Sequence, residues 1–226
     1  HDWQAGLLPY YLRDGGPPSV MTVHNIAFHG LAAADRLGVL GLDPVDFTPA
    51  GYEFWGRVSA LKAGLVWATK LTTVSETYAD ELMRPEFGMG LDGVMRARAA
   101  DLSGILNGVD TAVWTPAADP LIETYTAPAG KADNKAELRR QMGLPEADGP
   151  LCVVISRLTA QKGLDMALEA LPALLSRGGQ LALLGSGDPA LEEAVRAASA
   201  DPNVAVRIGY DEALSHLMVA GGDAIL

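Results

Sequence analysis

The strongest constraint on the fold of this 226-residue chain is an alternation of short apolar runs with longer segments of helical spacing. The alternation is most regular from residue 151 onward, where apolar runs occupy 151–155, 180–184 and 204–208. Between the first two runs, Leu164–Leu175 repeats Leu and Ala at i, i+3, i+4 and i+7, which predicts a helix with one buried face. Strand, helix and strand joined by short turns are typical of βαβ units. We therefore predict an α/β fold with parallel sheets.

The first half of the chain shows the same alternation less regularly. Apolar runs at 20–23, 71–74 and 104–106 predict strands, and the spacing over 56–69 predicts a helix. Ser75 follows the second run and is predicted to cap a helix over 76–83.

A proline-rich stretch over 107–150 then interrupts the pattern, and only its charged segment 131–142 is predicted to be helical. Such a stretch is typical of a connection between domains. We predict two domains, 1–106 and 107–226, the second of which includes this connection.

Composition excludes several classes of protein. With 17 basic and 28 acidic residues the formal charge is −11, which argues against a nucleic-acid binder that neutralises phosphates. No apolar run approaches the ~20 residues of a membrane span. The single cysteine, Cys152, excludes an internal disulfide and is predicted to be a buried thiol, which suits a reducing cytoplasm. The four His residues show no metal-binding spacing, so we expect no metal site.

Two cations follow a predicted strand directly. Arg157 and Lys162 lie in the segment SRLTAQKG, between the run 151–155 and the helix that begins near Leu164. Two cations at the carboxyl edge of a sheet, beside a helix N-terminus, can bind a diphosphate. The alternative is that both are surface cations that pair with acids or carbonyls.

Two further polar segments lie at predicted strand ends. Gly187, in LGSGD, follows the run 180–184, where glycines let a ligand approach the backbone, although a plain turn into a capped helix explains them equally well. Asp2, in HDWQAGL, and His24, in TVHNIAFHG, offer the directional hydrogen bonds that sugars require. A helix cap and a structural histidine are the corresponding alternatives.

Taken together, HDWQAGLLPYYL, TVHNIAFHG, TTVSETYADEL, GILNGVDTAVWTP, SRLTAQKGLD and LLGSGDP resemble the glycogen and starch synthase family, in its bacterial ADP-glucose-using branch. The resemblance covers the whole chain. It implies a GT-B architecture of two Rossmann-like domains facing a cleft. It also implies retaining transfer of glucose from ADP-glucose to the non-reducing 4-hydroxyl of an α-1,4-glucan, without a metal or other cofactor.

The resemblance also implies roles for individual residues. Arg157 and Lys162 would stabilise the leaving ADP, and Asp2 and His24 would lie near the transferred glucose. In this reading the substrate-binding residues are Asn107 beside the sugar, Gly187 beside the diphosphate and Tyr210 against the adenine ring.

Two motifs of the family, KxGGL and ExxGL, are not in the chain, and Phe28-His29 stands where many relatives have an aromatic residue followed by Gln. We expect an internal piece of a longer enzyme, with both domains incomplete and with little or no activity alone. The alternatives are another GT-B glycosyltransferase and a noncatalytic nucleotide- or glucan-binding remnant. The sequence predicts no nucleic-acid or membrane partner and gives no oligomeric state.

Overall fold

A computed structural model describes all 226 residues. The chain divides into two compact units, His1–Gly108 (unit 1) and Val109–Leu226 (unit 2), two residues beyond the boundary placed at 106/107. No helix in either unit combines the length and apolarity that crossing a membrane requires.

Unit 1 contains two small sheets. Its strands are β1 (Val20–Val23), β2 (Leu31–Ala33), β3 (Glu53–Phe54), β4 (Arg57–Ser59), β5 (Lys70–Thr73) and β6 (Leu102–Gly104). One sheet is parallel, in the order β1-β5-β6, and the other is antiparallel, in the order β2-β4-β3. Trp55 and Gly56 join β3 to β4 with φ of 49° and 75°, the conformation of a tight two-residue hairpin turn.

Four helices accompany these sheets: α1 (Leu8–Tyr11), α2 (Ala60–Trp67), α3 (Glu76–Leu82) and α4 (Asp92–Ala97). Leu61 and Leu65 of α2 are fully buried in a core that includes Met21 and Leu71 of the parallel sheet. The N-terminus of α2 is capped by Ser59, whose side chain accepts a hydrogen bond from the Lys62 N–H.

Unit 2 is built on one parallel sheet. Its strands are β7 (Leu151–Ile155), β8 (Gln180–Gly185), β9 (Val204–Ile208) and β10 (Ala224–Ile225), in the order β10-β7-β8-β9. Every residue of the central strand β8 is buried, because helices cover both faces of the sheet.

The helices of unit 2 are α5 (Ala132–Met142), α6 (Leu164–Leu175), α7 (Pro189–Ala198) and α8 (Glu212–Gly221). Leu138 of α5 and Met218 of α8 join the core on one face of the sheet. Leu171 of α6 and Val195 of α7 join the core on the other face. This three-layer packing confirms the α/β prediction with a parallel sheet.

Several local predictions are confirmed. The helix α6 has the predicted bounds, α5 fills the predicted segment 131–142 apart from its first residue, and Ser75 caps α3 by accepting a hydrogen bond from the Tyr78 N–H. Cys152 is buried, and burial raises the pKa of its thiol.

Two local predictions were wrong. The strand predicted at 104–106 lies at Leu102–Gly104, where it pairs with β5, and Leu106 beyond it is 75% exposed. The helix predicted over 56–69 begins only at Ala60, because the residues before it form β4 of the antiparallel sheet.

Candidate functional site

The carboxyl ends of β7, β8 and β9 lie side by side in unit 2. Hydrogen bonds join the loops that follow these strands: the Leu158 N–H donates to the Ser186 carbonyl, and the Gly209 N–H donates to the Gly185 carbonyl. A methyl group on Gly185 would lie 1.9 Å from the Ser156 carbonyl oxygen, so these loops pack too closely for a side chain there. The three loops therefore form one continuous edge, where open parallel sheets bind ligands.

A cavity of about 250 Å³ opens at this edge. Its walls include Arg157 from the first loop, Ser186 from the second, and Tyr210 from the third. Ser215 of α8 contributes to the same wall. The structure thus brings together two residues, Arg157 and Tyr210, that are 53 positions apart in the sequence.

The two cations of the first loop are exposed and make no side-chain hydrogen bond or ion pair. Most basic side chains of unit 2 are engaged: Lys135 pairs with Asp223, Arg140 with Glu137, and Arg207 with Asp211. Arg157 and Lys162 therefore have all of their donors available for an anion. Lys162 ends a 3-10 turn on the same loop but does not line the cavity.

Gly187 lies just outside this cavity, and packing explains why it is glycine. A methyl group there would lie 2.3 Å from the Leu158 carbonyl oxygen. Its N–H donates to Glu192 Oε1 at 2.9 Å, and the side chain of the neighbouring Asp188 caps α7. The predicted approach of a diphosphate to Gly187 stays a prediction.

Tyr210 is 85% exposed, and its ring forms the outer wall of the cavity. Its hydroxyl donates a hydrogen bond to Glu212 Oε2, and this bond to a carboxylate raises the pKa of the phenol. An exposed, tethered aromatic ring at the wall of a cavity is suited to stack on a flat ligand such as a nucleobase.

In unit 1, the Asp2 carboxylate binds the backbone. Its Oδ1 accepts hydrogen bonds from the N–H of His24 at 2.7 Å and from the N–H of Asn25 at 3.2 Å. The Asp2 N–H in turn donates to the Thr22 carbonyl, and its own φ of 49° is unusual for a residue other than glycine. Asp2 therefore fixes the loop that follows β1, and makes no side-chain hydrogen bond to the 3-10 turn that it precedes.

The loop fixed by Asp2 presents His24 to solvent. The His24 ring is exposed, and its Nε2 lies 2.9 Å from Nδ1 of His1. Asn107, the other residue predicted to contact the sugar, is also exposed, in the coil after β6, and makes no side-chain hydrogen bond. Each of these side chains is available to a ligand of unit 1.

An aromatic cavity of about 810 Å³ lies beside this loop. Trp3, Tyr11 and Phe28 contribute exposed ring surface to its walls. A smaller cavity of about 200 Å³ joins Asp2 to Trp3 and Phe28. Polar groups over an aromatic floor are the usual features of a sugar site.

His29 lies in the wall of this aromatic cavity. Its ring is buried against Phe54, with the ring centres 4.4 Å apart, and its Nδ1 has no hydrogen-bond partner. Burial lowers the pKa of His29, so the ring is neutral at neutral pH. His29 therefore packs in unit 1 as an uncharged ring.

The sequence reasoning missed a buried polar pair in unit 2. His216 Nδ1 lies 2.5 Å from Asp119 Oδ2, and the His216 ring stacks on Trp114 with the ring centres 3.9 Å apart. The partners are 97 residues apart, so no local spacing could identify them. The one local signal is Glu212, four residues before His216 on α8, which places both on one face of the helix.

Comparison with known proteins supports a common origin over the whole chain. Residues 1–97 match the family model of the starch synthase catalytic domain. Glycogen synthases of Paracoccus denitrificans and Serratia proteamaculans are 60% and 52% identical, each over 100% of this chain and over 48% and 50% of the relative. The chain thus spans about half the length of the curated relatives that it matches.

Solved structures give the same result. The catalytic domain of starch synthase IV from Arabidopsis thaliana, bound to ADP and acarbose, matches 100% of this chain and 50% of its own, with a TM-score of 0.87 and 34% identity. Anabaena HepE in complex with UDP matches 99% of the chain and 49% of its own, with a TM-score of 0.53 and 16% identity, which is a likeness of fold alone.

Proposed function

Because this chain belongs to the glycogen and starch synthase family, we propose that the whole protein is a retaining glucosyltransferase that uses ADP-glucose and extends an α-1,4-glucan. The observation that carries this proposal is the pair of unpaired cations, Arg157 and Lys162, on a strand-end loop beside a cavity walled by Tyr210. Unit 2 supplies the donor site, and unit 1 supplies groups for the sugar and the acceptor.

The donor chemistry follows from the charges. As the bond between glucose C1 and the diphosphate breaks, negative charge grows on the leaving ADP. Arg157 and Lys162 stabilise that charge, a role that in other enzymes is worth ~10²–10³ in rate. The acceptor 4-hydroxyl forms the new bond to C1 on the same face, and its proton passes to the leaving phosphate.

The groups of unit 1 bind the sugar. His24 offers a ring nitrogen near the transferred glucose, and Asn107 offers an amide to its hydroxyls. Asp2 acts through the backbone of the loop that carries His24, since its carboxylate oxygen accepts the N–H groups of that loop. The aromatic walls of the larger cavity provide apolar surface for a glucan.

The choice of ADP-glucose over another nucleotide sugar is part of the proposal. A relative with 34% identity is a starch synthase structure bound to ADP, which favours an adenine nucleotide. Stacking on Tyr210 accepts any base, so the ring alone does not exclude UDP-glucose. We place the protein in the cytoplasm, where a reducing environment suits the buried free thiol of Cys152.

The test is transfer by the whole protein. ADP-glucose or UDP-glucose is supplied with glycogen, and both the released nucleotide and the extended glucan are measured. The expected result is stoichiometric ADP release with ADP-glucose preferred, and a product that β-amylase degrades because its new linkages are α-1,4. Preference for UDP-glucose would indicate another glycosyltransferase of this fold. Binding of ADP without transfer would indicate a noncatalytic role.

A further inference from the structure

Glu212, the first residue of α8, connects the wall of the donor cavity to the buried part of unit 2. One carboxylate oxygen, Oε2, accepts the hydrogen bond from the Tyr210 hydroxyl. The other, Oε1, lies 3.6 Å from Nε2 of His216, one helical turn further along. The carboxylate therefore lies between an exposed ring and a buried ring.

The buried ring is a fixed anchor. The His216 side chain is 3% exposed, and it is held on a second edge by the Asp119 carboxylate and on its face by Trp114. Asp119 and Trp114 belong to the connecting stretch after residue 108, so α8 is fastened to that stretch at this point. A contact with so restrained a ring limits the positions open to Glu212.

Tyr210, in contrast, has a single restraint. Its side chain is 85% exposed and makes no hydrogen bond other than the one to Glu212. Without that bond the ring would be free to exchange rotamers in solvent, as exposed side chains do. A ligand that stacks on the ring would then have to immobilise it on binding.

We propose that Glu212 is a positioning residue for the nucleotide, which holds the Tyr210 ring in place at the cavity and is itself held by His216. The proposal rests on the proposed function, because it assumes that the cavity takes the donor nucleotide. It deepens that function by assigning a role to a carboxylate that does not line the cavity. Loss of the tether should weaken nucleotide binding ~2- to 10-fold, the cost of ordering one side chain.

The test is calorimetric titration of the whole protein with ADP in a double-mutant cycle. The variants are Glu212→Ala, Tyr210→Phe, which keeps the ring but loses the donor, and the double variant. Each single change is expected to raise the Kd for ADP ~2- to 10-fold, and the double change is expected to add nothing further. Glu212→Gln should restore binding, because its amide oxygen still accepts the phenol hydrogen bond.

Controls separate this role from simple stabilisation of α8. Glu169→Ala removes an exposed carboxylate of α6 that makes no hydrogen bond or ion pair, and it should leave the Kd unchanged. If Glu212 only stabilised the helix N-terminus, Glu212→Ala would lower Tm with no change in Kd, and Tyr210→Phe would be neutral; that result would overturn the proposal. Multiplying effects in the double variant would overturn it too. A wild-type protein that does not bind ADP would instead overturn the donor site itself.

Discussion

At the scale of the residue, the Asp2 carboxylate orders the loop that follows β1. A carboxylate near a sugar site suggests a direct contact with hydroxyl groups, yet its Oδ1 accepts two backbone N–H groups of the loop that carries His24. Both hydrogen bonds go to Oδ1, so holding the loop requires one acceptor oxygen on the side chain and does not require Oδ2. Asp2 thus orders the loop, and the ring of His24 is the group left facing solvent.

We expect Asp2→Asn and Asp2→Ala to behave differently for this reason. The amide oxygen of Asn can take both hydrogen bonds, whereas Ala leaves two N–H groups without their partner, which costs ~1–3 kcal/mol where solvent does not replace it. Asp2→Ala should therefore lower both the free energy of unfolding of unit 1 and the transfer rate, and Asp2→Asn should retain most of each. Urea unfolding and initial rates measure the two quantities. Equal loss of activity in both variants would contradict this account, because it would show that the negative charge of Asp2 acts directly on the substrate.

At the scale of the element, α2 ends against a side chain that is remote in sequence. The Arg98 guanidinium donates to the carbonyls of Leu65, Val66 and Ala68, which have no partners within the helix. It also bonds to Asp101, whose pKa is lowered by hydrogen bonds from Lys70 and Arg98. The guanidinium of Arg98 thus provides hydrogen bonds to the carbonyls at the C-terminal end of α2.

Arg98→Met should accordingly destabilise unit 1 by ~2–3 kcal/mol, since hydrogen bonds from a charged group are lost and several carbonyls remain unsatisfied. The matched control is Arg84→Met, which removes an exposed arginine with no side-chain contact. The free energies of unfolding of both variants come from urea titrations that follow tryptophan fluorescence. Similar values for the two variants would show that the carbonyls are satisfied by water and that Arg98 is dispensable.

The connecting stretch of unit 2 depends on a second remote contact, and this one makes stability depend on pH. Burial acts to raise the pKa of Asp119, but hydrogen bonds from His216 and from the Leu121 N–H outweigh it, so the pKa lies below its ordinary value. A carboxyl with a lowered folded pKa stabilises the fold above its unfolded pKa of about 3.9. That contribution is lost as the pH falls through the folded value.

Asp119→Asn should therefore reduce the free energy of unfolding at neutral pH by ~1–3 kcal/mol and flatten its decline on acidification. Urea titrations of wild type and variant at about pH 7, 5 and 3 would measure this, with the difference largest at neutral pH and smallest at the lowest pH. A difference that stays constant over the whole range would show that the Asp119 charge does not contribute.

The hydrophobic pattern of the sequence predicted the longer strands and helices. The strands β7, β8 and β9 and the helix α6 have enough residues for a pattern to show, and the cap Ser75 follows from local chemistry. The strands β2, β3 and β4 have two or three residues each, which is too short for a period, so the antiparallel sheet was not predicted.

At the scale of the whole molecule, the candidate site also contains residues that the sequence predicts and residues that it does not. Strand-end residues such as Arg157 were predictable, because the carboxyl ends of parallel strands meet at one edge. The pairing of His216 with Asp119 was not, since it depends on how α8 packs against a stretch without regular structure. The hydrogen bond from Tyr210 to Glu212 is local, but no residue pattern shows that the phenol hydroxyl reaches that carboxylate. The sequence thus identifies the polar residues at strand ends. Tertiary packing determines which polar side chains contact a ligand and which position another side chain.

The central claim is that the strand-end cations of unit 2 stabilise a leaving nucleoside diphosphate. The most direct measurement is the rate of glucose transfer from ADP-glucose to glycogen by the whole protein in Arg157→Gln, compared with Arg177→Gln. Arg177 is another exposed arginine of unit 2 without a side-chain hydrogen bond or ion pair, but it lies beyond the end of α6 and does not line the cavity. The account predicts a loss of ~10²–10³ in kcat for Arg157→Gln and wild-type rates for Arg177→Gln. Equal rates in the two variants would contradict it.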